Sequence, residues 1–72
     1  MDKHIKLTLE ELLSEKGITR YELAKRTDTH YSVIDKYYKN KVVRYDREIL
    51  FRICVALDCE VGDIVKVVTT NV

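Results

Sequence analysis

The sequence predicts a small all-α domain of five short helices, whose chain ends are suited to pair as a small two-stranded ribbon. Apolar residues recur at the three- and four-residue intervals of amphipathic helices in several separate segments. Residues that favour helix caps stand between these segments and mark where each helix begins or ends. Because the chain has only 72 residues, we expect a single domain over residues 1–72 with a small core.

Two Thr-x-x-Glu capping boxes begin the first two predicted helices. They pair Thr8 with Glu11 and Thr19 with Glu22. We therefore expect helices near 9 to 16 and 20 to 27. Gly17 ends the first helix, because glycine readily adopts the left-handed backbone conformation of a C-cap.

Residues 20 to 39 combine two short helical patterns with a break of three or four residues between them. In the first pattern, one face gathers Leu23, Ala24 and Thr27. In the second, an apolar side gathers Val33, Ile34 and Tyr37, and the polar side gathers Ser32, Asp35, Lys36 and Lys39. This arrangement is typical of a helix-turn-helix that reads DNA, with a recognition helix at about 30 to 39.

The remaining segments predict two further helices and the ribbon. Asn40 ends the recognition helix, and Asp46 caps a fourth helix. The core stripe of the fourth helix consists of Ile49, Leu50, Ile53, Cys54 and Leu57. Asp58 and Cys59 break this helix, and a short fifth helix follows at about 61 to 65. The end segments HIKL and KVVTT favour β-structure, so they are the segments that form the ribbon.

The chain resembles the Cro/cI type of helix-turn-helix regulator, also called the XRE family, and in particular its small single-domain members. The resemblance rests on Leu23, Ala24, Thr27, Ile34 and Tyr37, with ICVALDCEVGDIV similar to the fourth and fifth helices of the family. It runs over nearly the whole chain. It implies a Cro/cI-repressor-like fold and a sequence-specific transcriptional regulator of double-stranded DNA.

Three residues depart from the pattern of that family. Asp28 stands where the family usually has glycine, and aspartate tolerates the left-handed conformation better than most residues. Thr29 stands where a buried aliphatic residue is usual, and His30 where the recognition helix usually opens with serine. Because threonine caps helices well, we expect Thr29 to be the N-cap and the helix to start one residue early.

Positive charge is concentrated around the predicted motif. The net charge of the chain is only +1, but residues 20 to 47 contain eight Lys and Arg against four Asp and Glu. This segment therefore carries +4, and the flanking segments together carry −3. A solvated charged surface would not predict this segregation, whereas binding to a polyanion requires it.

Early residues of a recognition helix lie at base edges in the major groove. The candidates for reading bases are His30, Tyr31, Ser32, Asp35 and Lys36. Lys36 suits guanine O6 and N7, and Asp35 suits the amino group of cytosine. Two alternatives remain open: Asp35 pairs with Lys39 along the helix, and Tyr31 only covers the helix entrance.

Other basic and polar residues are suited to the DNA backbone. The candidates are Arg20, Lys39, Asn40, Lys41 and Arg44. The resemblance implies the role of Arg20, because the family commonly places a phosphate contact at the start of this helix. Arg44 is also suited to the minor groove, and surface Lys and Arg often serve solubility alone.

An apolar pair on the fourth helix suggests that the protein is a homodimer. Phe51 and Val55 lie one turn apart on the face opposite the core stripe, with Val65 and Val67 in the following segment. A twofold dimer places two recognition helices about 34 Å apart and requires a palindromic site. The alternative is that Phe51 folds under the chain ends within one subunit.

The sequence favours neither catalysis nor a metal site. It contains no glycine-rich phosphate loop, paired carboxylate site or nucleophile with a local base, so we expect no enzymatic activity and no cofactor. Cys54 and Cys59 are five residues apart, which is not a metal-binding spacing, and we expect buried free thiols. Without a long apolar run, a leader or a sensory domain, we expect a cytoplasmic protein with no membrane contact and no small-molecule effector.

A protein-binding role is the main alternative function. Helix-turn-helix domains of this family also serve as antitoxins or adaptors that grip another protein. Salt-sensitive binding to duplex DNA would favour the regulator, and tight binding to a protein partner without DNA binding would favour the adaptor.

Overall fold

A computed structural model describes residues 2–70, in which two terminal strands frame four α-helices and one 3-10 turn. The helices are α1 Leu9–Lys16, α2 Arg20–Thr27, α3 Tyr31–Tyr38 and α4 Arg47–Leu57. The strands are β1 Asp2–Leu7 and β2 Val65–Thr70, and the 3-10 turn is Val61–Asp63. No helix in this part of the chain is both long and apolar enough to cross a membrane.

The predicted ribbon of the chain ends is confirmed. β1 and β2 pair in antiparallel register from Asp2 opposite Thr70 to Leu7 opposite Val65. The predicted capping box at Thr8 is wrong, because its side chain makes no bond to the start of α1. Its hydroxyl instead donates to the carbonyl oxygens of Asp63 and Ile64, at 2.9 and 3.1 Å. Thr8 thus links the end of β1 to the residues that precede β2.

Asn40 joins the ribbon to the end of α3. Its backbone is left-handed, with φ of 59°, as the prediction of a helix end there requires. Its amide nitrogen donates to the Leu7 carbonyl at 2.9 Å, and its amide oxygen accepts from the Leu7 N–H at 2.7 Å. The N–H and carbonyl groups of Leu7, at the end of β1, therefore find their hydrogen-bond partners in a side chain 33 residues away.

One hydrophobic core joins the four helices to the end of β1 and to Ile64 before β2. It comprises Leu7, Leu9, Leu13, Leu23, Ala24, Ile34, Tyr37, Ile53, Leu57 and Ile64. The predicted inward faces of α2 and α3 are confirmed at these positions, and Thr27 is buried beside them. Val33, also predicted on the inward face of α3, is half-buried against the core. On α4 only Ile53 and Leu57 of the predicted stripe are fully buried; its other three members are half-buried against the core.

The predicted fifth helix is wrong. Val61–Asp63 forms a single 3-10 turn, with hydrogen bonds three residues apart from Asp63 to Glu60 and from Ile64 to Val61. The side chain of Asp63 also accepts from the N–H of Glu60 at 2.9 Å. The turn cannot extend into an α-helix because β2 begins at Val65 and is paired with β1 there. Within residues 2–70 the fold therefore has four α-helices rather than five.

The predicted N-cap of α4 is confirmed, since the Asp46 carboxylate accepts from the N–H groups of Glu48 and Ile49.

α4 presents an apolar face to solvent. Phe51 and Val55 are 60% and 64% exposed. The alternative in which Phe51 folds under the chain ends of its own subunit is therefore wrong.

Both cysteines are free, but each is half-buried rather than buried as predicted. Cys59 follows the left-handed Asp58 that ends α4, and its N–H donates to the Cys54 carbonyl at 3.0 Å. Burial and the neighbouring Cys54 raise the pKa of Cys59 to about 11. The Cys59 thiol is therefore protonated, and poorly nucleophilic, near neutral pH.

Candidate nucleic-acid interface

The turn between α2 and α3 has the predicted left-handed residue. Asp28 ends α2 with φ of 50° and ψ of 47°, and the next N–H, that of Thr29, donates to the Ala24 carbonyl at 3.0 Å. The buried Thr27 hydroxyl donates to the Leu23 carbonyl at 2.8 Å. Arg52 of α4 reaches the backbone oxygens of the turn at 3.4 Å. Local bonds and a neighbouring helix therefore fix the angle at which α3 leaves the turn.

α3 begins one residue later than predicted. His30 occupies the N-cap position without a side-chain capping bond, and the helix runs from Tyr31. The prediction of Thr29 as N-cap is wrong, because its hydroxyl donates back to the Thr27 carbonyl at 3.0 Å. The Thr29 hydroxyl therefore does not cap the free N–H groups at the start of α3.

α3 separates a buried face from an exposed polar face. Ile34 and Tyr37 are buried, and the Tyr37 hydroxyl accepts from the N–H of Asp46 at 2.9 Å. Of the five predicted base-reading residues, His30, Ser32 and Lys36 are exposed, and Tyr31 and Asp35 are half-buried. The structure therefore brings all five together along the start and outer side of one helix.

Asp35 lies between two basic side chains. Its Oδ1 accepts from Arg20 Nη1 at 2.5 Å, and its Oδ2 lies 3.1 Å from Lys39 Nζ. The Lys39 pair is the alternative suggested by the helical spacing, and it is present. Hydrogen bonds from Lys39 and Arg20 lower the pKa of Asp35, although partial burial opposes this shift. The carboxylate is therefore ionised and largely neutralised by its partners.

We expect Asp35 to make the stability of the fold depend on pH below neutrality. Because its pKa is lowered in the folded state, its contribution is complete above its ordinary value of 3.8. That contribution is lost as the pH falls through the lower folded-state value. In thermal melts from pH 7 to pH 2, the advantage of the wild type over Asp35→Asn should shrink below about pH 4. A constant difference in melting temperature across this range would contradict the ion pairs as described.

An aromatic cluster surrounds Arg20 at the junction of α2 and α3. Its guanidinium carbon lies 4.3 Å from the ring centroid of Tyr38 and 5.9 Å from that of Tyr31. Tyr21 stacks on Tyr31 with ring centroids 4.2 Å apart. Sequence reasoning missed Tyr21 and Tyr38, since neither falls at a position that the motif marks. The only sequence signal for Tyr38 is its helical spacing from Tyr31, two turns away. Tyr21, on α2, has no such signal.

The segment after α3 is basic and exposed. Lys39, Lys41 and Arg44 all have exposed side chains. Asn40 differs from them, because its side chain is bonded to the backbone of Leu7. Two other predicted phosphate-binding residues are also engaged: Arg20 through Asp35 and the tyrosines, and Lys39 through Asp35.

An apolar groove lies on the side of α4 that carries Phe51 and Val55. Its volume is about 760 Å³, and its lining includes Leu50, Cys54 and the half-exposed Val61. Val65 and Val67 do not line it: Val65 packs partly against the core, and Val67 is exposed on the ribbon opposite Ile5. Of the four predicted interface residues, Phe51 and Val55 therefore line this groove and Val65 and Val67 do not.

The comparison with protein families identifies the family of the central motif. The family model described as the Cro/C1-type HTH DNA-binding domain matches residues 8–70. A search of the curated proteins found no match at a significant level. The family match contains α1 to α4 entire, together with the turn between α2 and α3.

Proposed function

Because the chain belongs to the family of Cro/C1-type helix-turn-helix DNA-binding domains, we propose that it is a transcriptional regulator that binds double-stranded DNA sequence-specifically as a homodimer. The observation that carries this proposal is the family match over residues 8–70, which includes the complete α2, turn and α3. The proposed unit is one domain over residues 1–72.

In the proposed complex α3 lies in the major groove with its exposed side toward the bases. The proposed base-reading residues are His30, Tyr31, Ser32, Asp35 and Lys36. Lys36 is exposed and has no carboxylate partner among residues 2–70, so its ammonium group is available to guanine. Asp35 is suited to accept from cytosine, because its two basic partners reduce its repulsion from phosphates.

Contacts to the DNA backbone are proposed for Arg20, Lys39, Asn40, Lys41 and Arg44. Lys41 and Arg44 support this proposal best, since both are exposed and follow α3 directly. Arg20 uses one terminal nitrogen for Asp35, and a guanidinium group has five N–H donors, so others remain for a phosphate.

The dimer is proposed to form through the groove on α4. Phe51, Val55 and Val61 are each at least half exposed, and together they leave an apolar surface that a second copy would cover. A twofold axis beside α4 would present two α3 helices to successive major grooves and would match a palindromic operator. Val65 and Val67 are proposed as peripheral contacts.

Replacing Lys36 with alanine should change the base preference at one or two positions of the operator. The expected loss is about 1 to 3 kcal/mol for the preferred base, because a donor to guanine is removed. Binding to unrelated duplexes should change little. Equal weakening on every sequence would show that Lys36 contacts phosphate instead. Competition binding with single-base operator variants measures the difference.

The salt dependence of binding to duplex DNA tests the proposed function directly. If several phosphates are neutralised, the logarithm of the affinity should fall linearly with the logarithm of salt concentration, by about 0.9 per contact. Lys16→Gln serves as a control for the effect of net charge. It removes an exposed lysine on α1, outside the proposed interface, and should leave this slope close to that of the wild type. Absence of DNA binding at low salt would contradict the proposal and favour the adaptor function.

A further inference from the structure

Arg20 is held in one position by contacts that a phosphate-binding side chain does not need. It begins α2, and its partner Asp35 lies in the middle of α3, so their 2.5 Å hydrogen bond joins the two helices of the motif. The ring of Tyr38 lies against its guanidinium group at 4.3 Å, within the range of a cation–π contact. These contacts leave the Arg20 side chain only one-third exposed.

The same contacts fix the orientation of Asp35. Arg20 holds one carboxylate oxygen and Lys39 holds the other, so the carboxylate cannot rotate without breaking a charged hydrogen bond. Lys36, the next residue along α3, projects from the exposed side of the same turn. A shift of α3 relative to α2 would therefore move both proposed base-reading groups together.

We propose that Arg20 is a positioning residue for sequence recognition: through Asp35 it sets the direction of the carboxylate and the placement of α3 against the base edges. The group recognised would be a hydrogen-bond donor on a base, of the kind that the amino group of cytosine offers in the major groove. This inference rests on the proposed function, and a phosphate contact by the remaining N–H groups of Arg20 is compatible with it.

A double-mutant cycle with Arg20→Gln and Asp35→Asn tests the proposal. Both the affinity for the selected operator and that for an operator with one base pair changed are measured for the four proteins. If Arg20 acts through Asp35, Arg20→Gln should reduce the preference for the correct base pair by roughly tenfold. The same change in the Asp35→Asn background should have little further effect on the preference.

Arg20→Lys provides the matched conservative variant, because a lysine can still pair with Asp35 but lacks the planar guanidinium that lies on Tyr38. We expect it to recover part of the base preference. Thermal melts of each variant establish that the protein is folded at the binding temperature. Recovery of preference by Arg20→Lys is a result that a purely structural loss would not produce.

The outcomes separate this proposal from the proposed function. If the wild type binds its operator specifically but Arg20→Gln keeps the base preference and only lowers the salt slope, Arg20 is a phosphate contact and the proposal is overturned. An equal loss of preference in the presence and absence of Asp35 also overturns it. A wild-type protein that prefers no duplex contradicts both proposals.

Discussion

Replacing Phe51 with aspartate is expected to give a folded monomer that binds a palindromic operator at least a hundredfold more weakly than the wild type. Phe51 is 60% exposed in the single subunit, so the new carboxylate has access to water and the fold should survive. In a dimer the same carboxylate would lie in a desolvated apolar interface, which disfavours association. Loss of the second half-site contact removes the roughly 10²- to 10⁴-fold advantage of a linked binding site.

Val43→Asp is the matched control for the assembly measurement. Val43 is 94% exposed and lies outside the groove, so the same chemical change there should leave the mass in solution unaltered. Sedimentation or light scattering gives the mass of each protein, and circular dichroism reports whether it is folded. If the wild type is itself monomeric, or if Phe51→Asp remains dimeric, the proposed interface on α4 is wrong.

Replacing both Lys41 and Arg44 with glutamine is expected to weaken binding to operator and random DNA alike, by one to two orders of magnitude at roughly 0.1 M salt. Both side chains are exposed directly after α3, and each is proposed to neutralise one phosphate. The slope of affinity against salt should therefore decrease by about one unit for each glutamine introduced and by about two for the double variant.

A matched single-charge variant distinguishes local contacts from net charge. Lys16→Gln removes one positive charge from α1 and should leave the slope close to that of the wild type. If it lowers the slope as much as Lys41→Gln does, the whole molecule rather than this segment attracts DNA. An unaltered slope in the double variant would show that the proposed docking face is wrong.

Local signals predicted most of the fold. The bounds of α1 and α2 follow from Gly17 and Thr19, and the left-handed Asp28 follows from the tolerance of aspartate for that conformation. The errors arose where a distant residue competes for the same group. The Thr8 hydroxyl bonds to Asp63, and the turn that follows α4 is ended by the pairing of Val65 with β1.

The candidate site was predictable as a set of residues but not as a network. The pair of Asp35 with Lys39 could be anticipated, because four residues separate them on one helix. The pair of Asp35 with Arg20 spans 15 residues and depends on the angle between α2 and α3, which periodicity does not give. The stacking of Tyr21 on Tyr31 depends on the same angle. The roles of these residues on DNA remain predictions.

Selection of bound sites from random duplexes tests most directly whether α3 reads DNA as part of a dimer. We expect the wild type to enrich a palindromic site whose half-site centres are about 34 Å apart, one turn of the duplex. Lys36→Ala should enrich a site of the same length and symmetry in which one position of each half no longer shows a strong base preference. Enrichment of no sequence, or of an asymmetric site that Lys36→Ala leaves unchanged, would contradict this account.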